Sequence, residues 1–155
     1  MGSGSKFDSA LSTRGGRADF VTRDDILFNY SLAEEILSEM TQEGIKYSKD
    51  KIVFAAKLEN GNKIFLETGA VDHIFVRHLT QFETAYGIKT ANDISSMLSA
   101  TISKGKLIKS FRHDSNGKEG YRSIYYYKGQ YMIVYSIASN GYIETAFPIR
   151  YKGGN

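Results

Sequence analysis

The last third of the chain constrains the fold most. Tyr121–Tyr127, Tyr131–Ile137 and Tyr142–Ile149 are runs of β-branched and aromatic residues, separated by the turn dipeptides Lys128-Gly129 and Asn140-Gly141. Such runs suit a pleated, half-buried surface, and turns this short join antiparallel neighbours. A three-stranded antiparallel meander is therefore expected. The single proline, Pro148, falls where the last strand ends or lies at an edge, because proline cannot donate to a ladder.

A meander must bury one face against something, and the upstream sequence supplies helices. Apolar residues at Val71, Ile74, Phe75, His78 and Phe82 predict a helix from Ala70 to about Phe82, after Thr68-Gly69 punctuation. A second is expected from a Thr90 cap, with Asp93 in its first turn, through Ile94, Met97, Leu98 and Ile102. Before them, Ile52–Lys57 and Lys63–Glu67 flank Glu59-Asn60-Gly61-Asn62, a hairpin signature. Earlier still, Ser31-Leu32-Ala33-Glu34 matches a capping box for a helix running to about Glu43 and ending at Gly44. The expectation is an α+β fold in which N-terminal helices pack on a twisted antiparallel sheet. Residues 1–22 carry no hydrophobic period and read as a flexible lead-in. Residues 23–50 read as a helical appendage or the remnant of an entry domain, and 51–155 as the main domain.

Composition narrows the classes of function. Hydrophobic residues make up 41% of the 155 positions and charged ones 24%, the balance of one globular domain. No apolar run approaches the roughly 18 residues that span a bilayer, and no signal-peptide pattern is visible, so no membrane anchor is expected. With no cysteine, disulfides, thiolate metal sites and cysteine nucleophiles are excluded. The net charge of +3 hides an asymmetry: from Thr101 onward the chain sums to +6, and the first hundred residues to −3. Positive charge interleaved with tyrosines suits phosphates and exposed bases. It equally suits a sheet whose wet face carries Lys and Tyr.

Three clusters can carry chemistry. Asp72-His73-Ile74-Phe75-Val76-Arg77-His78 holds two of the three histidines, side chains able to exchange protons near neutrality. On a helix His73 and Arg77 share a stripe, whereas His78 lies with Ile74 and Val71 on the apolar side, as a proton carrier or a satisfied core histidine. Their spacing sets the rings about 140° apart, so no metal site is expected. In the second cluster, Arg112-His113-Asp114, read as a loop before the Tyr121 strand, Arg112 can clamp a phosphate and His113 can donate a proton. In the third, on the closing hairpin, alternation places Thr145 with Ile143 and Phe147, opposite Tyr142, Glu144 and Ala146. The Thr145 hydroxyl then binds a phosphate, orients an imidazole, or is there for strand propensity. Ser136 lies on the preceding strand. Lys106, Lys109, His113, Arg122 and Tyr142 are candidate substrate contacts.

The hairpin with its Asn-Gly turn, the helix bearing Asp-His-Ile-Phe-Val-Arg-His, the second helix, and tyrosine-rich strands closing on Asn-Gly-Tyr-Ile-Glu-Thr-Ala-Phe-Pro together resemble the barnase–EndoU–colicin–RelE superfamily of toxin ribonucleases. The resemblance covers about two thirds of the chain. It is nearest to the C-terminal nuclease domains of contact-dependent growth inhibition and other polymorphic toxins. It implies RNA cleavage, often of tRNA, without metal or other cofactor, by 2′-hydroxyl attack to a 2′,3′-cyclic phosphate. It further implies delivery within a larger effector, action in the target-cell cytoplasm, and a cognate immunity protein. The helix motif maps His73, Arg77 and His78 as catalytic candidates and the closing motif Thr145, with Ser136, while Arg77 or Arg112 would stabilise the phosphorane. No strand glutamate plainly takes the base role of barnase, since alternation turns Glu144 away from Thr145. A basic cleft would call for an immunity protein with an acidic surface. The rival reading is a non-catalytic RNA- or protein-binding module.

Overall fold

The computed structural model describes residues 19–151 apart from residue 116. The elements are β1 (Asp19–Thr22), α1 (Arg23–Leu27), α2 (Ser31–Gln42), a 3-10 turn (Lys49–Lys51), β2 (Ile52–Lys57), β3 (Lys63–Glu67), α3 (Thr68–Tyr86), α4 (Ala91–Lys104), β4 (Lys106–Ser115), β5 (Lys118–Tyr127), β6 (Gln130–Ile137) and β7 (Ile143–Ile149). The class is α+β, with two antiparallel sheets ordered β1-β2-β3 and β4-β5-β6-β7.

The start of the chain departs from expectation. Of the presumed lead-in, residues 1–18 lie outside the described residues, but 19–22 form β1, which pairs with Phe54–Lys57 and buries Phe20 and Val21. Thr22 then caps α1: its hydroxyl accepts from the Asp25 amide at 3.2 Å, and the Asp25 carboxylate accepts from the Thr22 amide at 2.8 Å. Ser31 is not a cap. It is the first residue of α2, whose N-cap, Tyr30, makes no side-chain bond.

The small sheet is buried on both faces, and its alternation divides the apolar residues between two cores. Phe20, Phe54, Ala56, Ile64 and Leu66 join α3, α4 and the inner face of the large sheet in the main core. Val21, Ala55 and Phe65 point the other way and meet Ile26 of α1 and Ala33, Ile36, Leu37 and Met40 of α2. The 23–50 segment thus closes a second core on the sheet that contains β1 and is not a detachable appendage. Lys63 of β3, also on this side, is buried between Glu39 at 2.9 Å and Glu43 at 2.5 Å. Burial disfavours its ammonium, but these two carboxylates outweigh that and raise its pKa.

The sheets meet at Gly141. Its carbonyl accepts from the Phe65 amide at 3.0 Å, and Phe65 and Tyr142 form a parallel bridge. Gly141 has φ +79, and a β-carbon there would sit 1.8 Å from the Lys63 carbonyl oxygen, so only glycine fits.

The large sheet has four strands rather than three, because Lys106–Ser115, including the stretch read as a loop, is strand β4. Two cross-strand rows organise its outer face: Phe111–Arg122–Tyr135–Thr145 and Lys109–Ile124–Ile133–Phe147. The register between β6 and β7 shifts at Tyr135/Ser136, so that Ile143 pairs with Ser136, Thr145 pairs with Tyr135, and Glu144 is the extra residue of a bulge. Simple alternation therefore fails on β7. Ile143 enters the main core, while Thr145 and Phe147 lie on the outer face. The helix α3 packs along β7, and the Gln130 side-chain amide donates to the Ala85 carbonyl at its far end.

Candidate active site

The outer face holds a cleft of about 180 Å³ lined by His113, Lys118, Glu119, Gly120, Tyr121, Arg122, Tyr135, Ser136 and Glu144. Its cause is local. Gly120 lies between His113 and Ile137 in the cross-strand row, and having no side chain it leaves a hollow where any other residue would fill the sheet surface. A β-carbon at 120 would come within 3.0 Å of the Ser136 carbonyl oxygen and 3.3 Å of that of His113.

Arg122 forms the wall of the hollow. Its guanidinium stacks 4.5 Å from the Tyr135 ring centroid, and Nη2 donates to His113 Nε2 at 2.8 Å. A guanidinium carries only donors, so this hydrogen bond uses His113 Nε2 as its acceptor. The Nε of Arg122 is buried without a partner, as is the Oγ1 of Thr145 in the same cross-strand row. Buried unpaired polar atoms are costly, and of the three among the described residues, Thr101 Oγ1 of α4 being the other, two fall in this one row. The Glu144 bulge brings a carboxylate to the cleft that alternation would have turned away, and Lys118 Nζ stands 3.9 Å from it.

Among the catalytic candidates, His78 is the α3 residue that reaches this face. Its ring stacks on Phe147 at 4.4 Å with 24° between planes, and Nδ1 is bonded to Gln81 Oε1 at 2.5 Å. Phe147 in turn lies 5.9 Å from Tyr135. A ribbon of rings and cations thus runs His78, Phe147, Tyr135, Arg122, His113 from the helix across all four strands of the large sheet. His73 and Arg77 do not join it: both are exposed on the solvent stripe of α3 and line neither the cleft nor a ring contact.

Other candidates move too. Arg112 pairs with Tyr121 on the opposite face from His113, and Glu119 and Asp114 engage its guanidinium, the latter at 3.6 Å. Its charge is already matched, so the arginine free to bind a phosphate here is Arg122. His113 belongs to a strand, which fixes it more firmly than a loop would. Ser136 is buried beside Tyr121 and Ile143, and borders both the cleft and a smaller pocket of about 50 Å³ under the β2–β3 turn. Tyr142 is half-buried, edge-on to Phe65 at 5.6 Å, and belongs to the junction of the sheets. Burial, then Glu67 and Glu144, raise its hydroxyl pKa. Lys106 and Lys109 are exposed on the outer face, the latter 5.4 Å from the Phe111 ring.

Lys118, Glu119, Gly120, Tyr121, Tyr135 and Glu144 line the cleft without having been among the candidate site residues. Gly117 takes φ +76 in the β4–β5 turn, and the sequence Asn-Gly at 116–117, the same dipeptide that announced the first hairpin, was the signal for a hairpin here. No signal in one sequence foretells the bulge. Among the described residues no group of three or more His, Asp or Glu is arranged to hold a metal ion, and no helix is long and apolar enough to cross a membrane. No protein-family model, curated protein or solved structure matches this chain.

Proposed function

We propose that this chain is a metal-independent endoribonuclease and that its chemistry takes place in the outer-face cleft. The observation that carries this reading is the pairing of Arg122, with its unpartnered buried Nε, to His113 Nε2 at 2.8 Å beside the hollow. A phosphodiester docking on the Arg122 fork would replace the His113 contact and leave Nε2 free to take a proton. The 2′-hydroxyl loses that proton as its oxygen bonds to phosphorus. The bond to the 5′-oxygen breaks, giving a 2′,3′-cyclic phosphate, and protonation of the 5′-oxygen falls to the rim, where Lys118 stands beside Glu144. Arg122 offsets the charge gathered on the phosphorane, and the Thr145 hydroxyl adds a donor.

The biological setting rests on the resemblance of Asp72–His78 and Gly141–Pro148 to toxin ribonucleases. In that setting the domain is a bacterial competition toxin, delivered with a larger effector, cutting RNA such as tRNA in the target cytoplasm and blocked by an immunity protein. Incubation with total RNA in EDTA, followed by mapping of the new ends, tests the chemistry. The expected products carry 2′,3′-cyclic phosphate and 5′-hydroxyl ends. Cleavage that vanishes in EDTA and returns with Mg²⁺ would overturn the mechanism, and binding without cleavage would favour a non-catalytic RNA-binding module.

A further inference from the structure

The two ends of the outer face differ in charge. On that face β4 and β5 carry Lys106, Lys109 and Arg122, and segments 106–113, 121–135 and 145–151, which build most of the sheet, contain no Asp or Glu. The acids from Thr101 onward, Asp114, Glu119 and Glu144, all lie at the cleft end. Beyond the cleft these strand segments carry cations and no acid, as complementarity to a polyanion requires.

The tyrosines, which look alike in sequence, divide by face. Tyr125 belongs to the main core, where burial pushes its hydroxyl pKa up to about 12. Tyr126 and Tyr131 are cross-strand partners on the outer face with ring centroids 4.9 Å apart, and Tyr151 follows 5.3 Å from Tyr131. These rings are tilted by 55° and 58°, and Tyr126 is 39% exposed, so ring faces are left open. Between this cluster and Arg122, Ile124 and Ile133 form an apolar floor. Four residue steps along β5 lead from Arg122 to Tyr126, a span of about 13 Å at ~3.3 Å per residue. That is about two nucleotides of an extended single strand.

We infer that Tyr126, Tyr131 and Tyr151, with Lys106 and Lys109, form a base-stacking subsite for unpaired nucleotides of RNA, about two nucleotides from the bond cut at Arg122. The inference rests on the ribonuclease reading and adds the substrate class: single-stranded or looped RNA, since duplex bases offer no free face to a tyrosine. The lysines hold the phosphates that connect the stacked bases to the cleft. Cutting is thereby favoured in unpaired segments long enough to reach both sites.

Comparison of a hexanucleotide, the same hexanucleotide annealed to its complement, and a dinucleotide tests it, using the whole chain and a Tyr126→Ala/Tyr131→Ala variant. The ratio of kcat/KM for the hexamer over the dinucleotide is expected to fall about 10- to 100-fold in the variant, mainly through KM, with the annealed hexamer cut at least about tenfold more slowly than the free one. Tyr126→Phe/Tyr131→Phe, which keeps both ring faces, should restore most of the ratio. An unchanged ratio in the Ala variant, or equal cutting of free and annealed hexamer, overturns the inference. An all-deoxy hexamer separates this outcome from failure of the ribonuclease reading, because it lacks the 2′-hydroxyl and can only bind. Fluorescence anisotropy of a 5′-dye-labelled all-deoxy hexamer reports that binding in both proteins alike. Weakening by tenfold or more in the Ala variant supports the subsite even if no RNA is cut, and equal affinity of the two proteins sinks it.

Discussion

The two sheets are built from similar residues and put to opposite uses. β1–β3 is apolar on both faces, with a helical core on either side and its one buried cation, Lys63, paired with Glu39 and Glu43. β4–β7 commits only its inner face to the core. Its outer face holds a glycine hollow, a bulged glutamate and two polar atoms without partners. A sheet satisfies its backbone hydrogen bonds along its own ladders, so an uncovered face can carry under-satisfied side chains without unravelling the strands. Under the proposed function, stability and chemistry are separated by sheet, and that separation can be attacked from either side.

The largest effect should come from Arg122. Arg122→Ala is expected to lower RNA cleavage about 10³-fold, on the order of 4 kcal/mol in the transition state, while the melting temperature moves by no more than about 2 °C. A variant that melts much earlier would mean that the outer face supports the fold after all. Arg122→Lys, retaining charge without the fork, should recover only a small part of the rate. Next comes Gly141→Ala at the junction of the sheets, which meets both a left-handed φ and the Lys63 carbonyl. It should destabilise by about 3 kcal/mol, roughly 10 °C in a thermal melt. Little change would show the sheets to be uncoupled.

A smaller effect distinguishes the sheets by pH. Hydrogen bonds from Lys63 and then Lys57 hold the Glu39 carboxyl below its ordinary pKa. A depressed carboxylate pKa stabilises above the unfolded value and that contribution is lost as pH falls through the folded one, so α2 should loosen below about pH 4. Hydrogen exchange should then rise in α2 before it rises in β5, and simultaneous loss would argue against local coupling. The smallest effect is expected at His73. His73→Ala should change cleavage less than about twofold, and a loss comparable to that of Arg122→Ala would move the chemistry from the sheet to the α3 helix.

Much of the fold was legible. The β5–β7 meander, the β2–β3 hairpin and the Thr90 cap of α4 lie where turn dipeptides and apolar periods put them, because those signals act over a few residues. β4 was missed since Lys106–Ser115 is largely polar and exposed, as an outermost strand can be, and lacks the apolar run by which strands are recognised. Likewise β1 is four residues long and draws its meaning from Ala55 and Ala56, with which it pairs far along the chain. For the site, the types of residue were readable but not their grouping. His78, Thr145, Arg122 and His113 share one face, whereas His73, Arg77, Arg112 and Tyr142, no less promising in sequence, are directed elsewhere.

What the sequence by itself determined is local: where helices begin, where hairpins turn, that no cysteine chemistry is available, and that positive charge gathers with tyrosine after residue 100. The tertiary structure alone decided which arginine faces a histidine, which tyrosines are core and which are surface, and that Glu144 reaches the cleft. The reason is register. A strand's faces alternate every residue, so a single bulge at Glu144 reassigns side chains across the sheet, and only the completed β6–β7 pairing says where that bulge falls.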